Sequence, residues 1–183
     1  EINSDFFMIF HDDDVMRENM VAELLASFTP STVAAASNAY ILKNSYRTTK
    51  KFGDDTYTPN PITTKKELIG CLILGKGGPP VFDSFLYRRI VAQKVRFELK
   101  YRDYSDSHFI CQILDYGSIQ FVKKPLFYYR LHSGQGVARA NFVARSRLIN
   151  YAAQEHNYTK KDRIIVRQRL ISIYCEFKER ISE

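Results

Sequence analysis

The sequence predicts an α/β fold: a sheet with flanking helices and a helical carboxyl-terminal extension. Three observations predict it. An apolar run, Phe6 to Phe10, is aromatic or β-branched at four of its positions and lacks the polar alternation of a half-exposed strand. Directly after it, Met16, Met20, Leu24 and Phe28 recur at i, i+4 spacing and form one helical stripe. Strand-like and helix-like stretches then interleave as far as Leu131, as α/β architectures require, before helical patterns close the chain.

The first run reads as a strand buried on both faces, and it leads straight into His11, Asp12, Asp13 and Asp14. Ligands of open α/β sheets bind beyond the carboxyl ends of strands, so this junction is the first candidate site. Adjacent carboxylates repel one another unless a cation or basic partner neutralises them. Oxygen-rich clusters suit a hard divalent ion, Mn²⁺ or Mg²⁺, completed by substrate phosphate. The competing reading is a solvated turn that caps the helix beginning near Arg17, with Asp14 facing the positive helix end.

Pro30 stops that helix. Thr32 to Leu42 reads as one strand or two short ones, small residues first, with Asn38 where it frays. Residues 43–62 are polar and punctuated by Gly53, Pro59 and Pro61, which predicts a loop or hairpin. Thr63 or Thr64 can cap a helix through about Leu74, with Glu67 placed as in a capping box. Gly75 to Pro80 breaks it and lacks the spacing of a phosphate loop. Val81 to Tyr87 reads as a short strand, after which Arg88 and Arg89 form a solvated face or phosphate contacts.

Further on, Ser105 or Asp106 can cap a helix whose apolar face is Phe109, Ile110, Ile113 and Leu114 and which Gly117 ends. Asp106 is then either a cap or a carboxylate aimed into a cleft as a general base. Ile119 to Val122 and Leu126 to Leu131 read as two extended runs separated by Lys123, Lys124 and Pro125. Alternation puts Tyr128, Arg130 and His132 on one face. Residues 141–156 and 160–181 carry helical patterns with basic polar faces.

At 183 residues, 45% of them hydrophobic, the chain is long enough to bury a core. The domain reading is 1–138 for the sheet-containing part and 139–183 for basic helices packed on it. Three scattered cysteines, Cys71, Cys111 and Cys175, suit free thiols in a reducing cytoplasm. The net charge of +7 is uneven: residues 1–30 hold seven acids and one base, and residues 31–138 hold sixteen bases against eight acids. An acidic site in a basic body suits a polyanionic ligand or an anionic membrane surface. No nucleic-acid-binding signature accompanies the charge, and the reading names no nucleic-acid partner.

The order of these pieces, FHDDDV, then VFDSFLYRR, YSDSHF and YYRLH, resembles the family 2 glycosyltransferases of the GT-A fold over roughly residues 5–135. The resemblance implies a partial GT-A (nucleotide-diphospho-sugar transferase-like) sheet and inverting transfer of a sugar from a nucleotide-diphosphate donor to a hydroxyl of a glycan or lipid-linked saccharide acceptor. It implies Asp106 as the base, Asp13 with Asp14 and His132 around Mn²⁺ or Mg²⁺, and Arg130 at the diphosphate. His11 stands where the family's first DxD aspartate is usual, and Asp12 can substitute there for metal or ribose contact. Ser105 replaces the acidic residue that commonly precedes the base. The family places nucleotide-binding βαβ units before the first strand, so the nucleobase pocket is expected to lie outside this chain. The family's usual setting is polysaccharide synthesis in bacteria, in the cytoplasm or at the inner face of the membrane. Two other classes compete: a metal-dependent phosphohydrolase built on the same aspartates, and a non-catalytic module that binds anionic glycan or membrane.

Overall fold

The computed structural model describes residues 3–43, 46–53, 55–56, 58–73, 80–131, 142–154, 158–168 and 171. Among these, six strands form one mixed sheet, covered by helices on both faces. The α/β class follows directly.

The chain opens with β1 (Phe6–Met8), continues through the acidic turn to β2 (Val15–Met16), and then forms α1 (Met20–Ala26). The long β3 (Thr32–Lys43) hairpins into β4 (Tyr46–Lys51), and α2 (Lys65–Ile73) follows. After β5 (Leu86–Arg88) come the short α3 (Arg89–Ala92), α4 (Ser105–Ile113), β6 (Ser118–Leu131) and α5 (Phe142–Ala152). A further helical stretch spans 160–168.

Strand order is β1-β5-β3-β6-β2. The pair β3/β6 is parallel; β1/β5, β5/β3 and β6/β2 are antiparallel, and β4 pairs with the far end of β3 on the edge it shares with β5. The strand covered on both faces is therefore β3. Its Ala34 and Ala36 face Leu68, Ile110, Phe121 and Leu148, whereas Ala35 and Ala39 face Met20, Leu24 and Phe127. Alanines in these places let helices approach the sheet closely from either side. The apolar run Phe6 to Phe10 instead supplies an edge strand of intermediate burial. Its side chains are half covered because only β5 adjoins it, while α1 and Phe28 shield one face, with Phe6 edge-on to Phe28 at 4.9 Å.

Several sequence expectations hold. Thr64 and Glu67 form the capping box of α2: Glu67 N–H donates to Thr64 Oγ1 at 3.1 Å, and Glu67 Oε2 accepts from the Thr64 N–H at 3.0 Å. Burial raises the Glu67 carboxyl, but hydrogen bonds from Thr63 and Thr64 outweigh it and hold the group below its ordinary value. The 43–62 segment contains the β3–β4 hairpin. The predicted face of α4 is buried at Phe109, Ile110, Ile113 and Leu114. Gly117 then passes where a Cβ would stand 2.5 Å from Ser31 O and 2.6 Å from Val33 Cγ1, so no other residue fits.

Others are corrected. Residues 118–131 form one strand, not two runs. The β3/β6 register steps from Ser37↔Val122 to Asn38↔Pro125 to Ala39↔Phe127, so Lys123 and Lys124 bulge into solvent and the proline is absorbed at the irregularity. Asn38 lies at this bulge in mid-strand, buried, and its Nδ2 donates to Asp55 Oδ2 at 2.8 Å. Val81 to Tyr87 is not a strand throughout, because Phe82–Ser84 is a 3-10 turn ahead of β5. Arg88 is half-buried and folds back onto the sheet. It donates to Thr32 O at 2.7 Å and lies over the Phe6 and Phe28 rings.

Helix α5 buries Leu148, Ile149 and Ala152 in the same core as α2 and α4. In the 160–168 stretch Val166 is buried but Ile164 faces solvent. Cys71 and Cys111 are buried and form no disulfide with each other. Burial pushes the Cys71 thiol up to about 11, which makes it unreactive at neutral pH. Cys175, residues 75–79 of the glycine-rich stretch and most of the last predicted helix lie outside the described residues. Among the described residues no helix is long and apolar enough to cross a membrane.

Candidate metal centre

Strands β1, β3 and β6 run in the same direction, so the turn after β1 emerges at the edge where β3 and β6 also end. Antiparallel β5 begins at that edge, which places the 3-10 turn Phe82–Ser84 beside His11. Four segments distant in sequence therefore converge: residues 11–14, 82–84, the start of α4 and the end of β6.

His11, Asp13 and Asp14 each offer one ligand atom, and those atoms lie within 4.8 Å of one another. The turn that carries them is held from β6. The Arg130 N–H donates to Asp14 Oδ1 at 2.8 Å, and Arg130 Nε donates to the Asp13 carbonyl at 2.5 Å. The alternative that Asp14 caps the first helix is thereby overturned. The cap position of α1 is Asn19, no side chain caps it, and the Asp14 carboxylate is committed to the β6 backbone.

The other Asp14 oxygen, Oδ2, is buried without a hydrogen bond. Burial and the neighbouring Asp13 charge raise the Asp14 carboxyl above its ordinary value, against the Arg130 N–H, His11 and the adjacent Asp83 carboxyl, which lower it.

Asp83 is the residue that sequence reasoning missed. It is 1% exposed, on the turn before β5, and its Oδ1 lies 2.7 Å from His11 Nδ1 without hydrogen-bond alignment. Burial drives its carboxyl up to about 6; Asp14 and Asp13 push the same way and His11 opposes them. One signal was available in the sequence. An acid inside the apolar stretch VFDSFLY must either be ejected by a turn or find a buried role.

Asp106 lies in the first turn of α4 and does not cap it. The cap position is Tyr104, and Asp106 Oδ1 accepts from the Ser107 N–H. Burial raises the Asp106 carboxyl, offset by the Ser107 hydrogen bonds and by the charge of His11. The fields of Asp106 and Asp83 both reach Tyr87, whose hydroxyl is buried without a hydrogen bond. Tyr129 is pushed up to about 12 by burial and then by Asp83, Asp14, Asp13 and Asp106. Asp106 thus shares an electrostatic neighbourhood with the aspartates of the turn.

Of the other expected residues, Asp12 is exposed in the same turn. Arg130 is at the site but braces the turn through its backbone and Nε. His132 lies outside the described residues. On the opposite side of β6, Tyr128 faces away from the aspartates and lines an open cleft of about 470 Å³ with Met16, Arg17, Glu18, Asn19 and Arg47.

These residues fit a divalent cation. A buried carboxylate oxygen of Asp14, a carboxyl there held above its ordinary value, the adjacent Asp13 and an imidazole form a donor set whose net charge a cation would neutralise. In comparison with known proteins, no family model matches the chain and no curated protein matches it.

Proposed function

We propose that the chain carries the metal site and acceptor side of a metal-dependent glycosyltransferase, moving a sugar from a nucleotide-diphosphate donor to a hydroxyl acceptor with inversion. The observation that carries the reading is the convergence of Asp106 with His11, Asp13 and Asp14. A separate carboxylate, raised by burial, lies within electrostatic reach of His11, a member of the group that could hold a cation.

Asp13, Asp14 and His11 would hold Mn²⁺ or Mg²⁺. When bound, the cation would offset charge gathering on the departing diphosphate. Arg130 fixes the Asp13–Asp14 turn from β6, so the carboxylates keep one geometry as ligands enter and leave. The Asp106 carboxylate takes the proton of the attacking hydroxyl. Its burial, by raising the group's affinity for a proton, suits it to that task. A hydroxyl acceptor, and not water, distinguishes this reading from a phosphohydrolase.

The test is calorimetric titration of Mn²⁺ with and without UDP on wild type, Asp13→Asn and Asp106→Asn, together with UDP release from nucleotide sugars over a panel of saccharide acceptors. A ligand mutation should cost more than the ~10–100-fold in metal affinity that outer partners cost. Asp13→Asn is therefore expected to lose Mn²⁺ binding, which UDP strengthens in wild type. Asp106→Asn is expected to keep Mn²⁺ and UDP but to lower turnover by about 10²–10⁴-fold. Mn²⁺ binding indifferent to Asp13, or acceptor-independent phosphate release, would overturn the reading.

A further inference from the structure

We propose that residues 94–100, together with the exposed side of α5, form a surface that docks on an anionic lipid bilayer. Bilayer contact here is independent of the transferase reading and uses none of the residues assigned to it.

The segment between α3 and α4 crosses the outer side of α4 as a strap. Gln112 Nε2 donates to Arg96 O at 2.8 Å, the Phe97 ring stacks on Phe109 at 4.5 Å, and Glu98 lies 3.7 Å from His108. Val95 and Tyr101 are tucked inward and buried, which leaves Lys94, Arg96, Leu99 and Lys100 facing out. Leu99 is 92% exposed and Phe97 49%. Beyond the end of α4, the Tyr116 ring is half exposed and lies 5.1 Å from Lys94 Nζ. Helix α5 continues the surface. Arg147 Nη1 donates to Lys100 O at 2.9 Å, and Val143, one turn earlier on the same side of the helix, is 51% exposed.

A single exposed leucine needs no explanation. Here, however, the apolar side chains stand among cations: residues 89–103 hold five bases against two acids, and α5 holds two arginines and no acid. One of the two acids, Glu98, is held by Lys100 at 2.5 Å. The cations draw this surface to anionic headgroups, and the projecting Leu99 and Phe97 then leave water at the edge of the acyl layer. A protein partner fits less well, because lysine is depleted at the centres of protein interfaces. Phe97 also meets the Phe82 ring at 6.0 Å, on the turn that carries Asp83, so the docked surface borders the acidic site.

The test is cosedimentation of the protein with vesicles of mixed phosphatidylcholine and phosphatidylglycerol, and with vesicles of phosphatidylcholine alone. Binding to the mixed vesicles is expected, falling as salt rises, with little binding to the neutral ones. Leu99→Gln should weaken it by about tenfold or more, and Lys94→Gln by about fivefold. Both side chains are exposed, so urea unfolding of either variant should match wild type. Tyr46→Ser removes a ring that is 78% exposed on the β3–β4 hairpin and should leave vesicle binding as it is. Equal binding to neutral vesicles, or binding to neither, would overturn the proposal. So would binding that Lys94→Gln weakens and Leu99→Gln does not, the mark of a site for soluble polyanions. Binding that neither change affects would do the same, by assigning membrane contact to another basic part of the chain.

Discussion

Two buried aspartates, Asp55 and Asp83, have surroundings that differ in kind. Asp55, next to the β3–β4 hairpin, accepts from Asn38 Nδ2 at 2.8 Å and from Lys51 Nζ at 2.9 Å. Burial raises it, but the Asn38 and Lys51 contacts win, and its carboxyl ends below the ordinary value. Asp83 has neither a lysine nor an amide. It faces His11 and two further acids, and its carboxyl stands at about 6. Where the chain supplies its own counter-charge, a buried acid is a structural joint. Where it supplies more acids instead, the folded state carries a cost that only a proton or an outside cation relieves.

The largest effect that could break this comparison is the pH dependence of stability. Because the folded Asp83 binds its proton more tightly than the unfolded chain, with a reference value of 3.8, the unfolded state loses its proton first as pH rises. Stability therefore falls between about pH 4 and pH 6 by about 3 kcal/mol and levels above that. Urea unfolding of metal-free wild type and Asp83→Asn across this range should show a difference that follows this curve. A difference independent of pH would mean that Asp83 is no more strained than Asp55.

Next in size is Asp55→Ala. It leaves the buried Asn38 amide without its best acceptor and should cost about 2 kcal/mol at neutral pH by urea unfolding, with Mn²⁺ affinity unchanged. A loss of Mn²⁺ binding would show that the two regions are one. The smallest is Lys51→Met, which removes the counter-charge of Asp55. Lys51 is 43% exposed, so solvent screening limits the cost to less than about 1 kcal/mol. The Asp55 carboxyl should nevertheless titrate higher by NMR, moving it toward the condition of Asp83.

Local chemistry was legible in the sequence. The Thr64–Glu67 box, the α4 face and the aspartates after an apolar run depend on spacings within a few residues, and these are what a linear reading resolves. Asp106 was legible as an acid at a helix start, although the chain itself does not say that α4 starts beside the turn after β1. Neighbour count was not legible. Phe6 to Phe10 and Thr32 to Leu42 are both apolar, yet one is an edge strand and the other the centre, because pairing depends on partners far along the chain, such as Met8 with Leu86 and Ala35 with Leu86 and Gln120. Asp83 escaped for a related reason. A 3-10 turn in place of a strand decides where its side chain goes, and only the His11 contact gives it meaning.

The bulge in β6 carries a consequence for the length of the chain. Before it, Phe121 shares a face with Ala36; after it, Phe127 shares the opposite face with Ala39, although six residues along an uninterrupted strand would return to the same side. The exposed Lys123 and Lys124 therefore set the phase by which Tyr129 meets the aspartates and Tyr128 turns to the far cleft. A stretch that looks expendable, two solvent-facing lysines before a proline, is thus intolerant of deletion: one residue fewer would exchange the two tyrosines and carry the Arg130 brace away from Asp13 and Asp14.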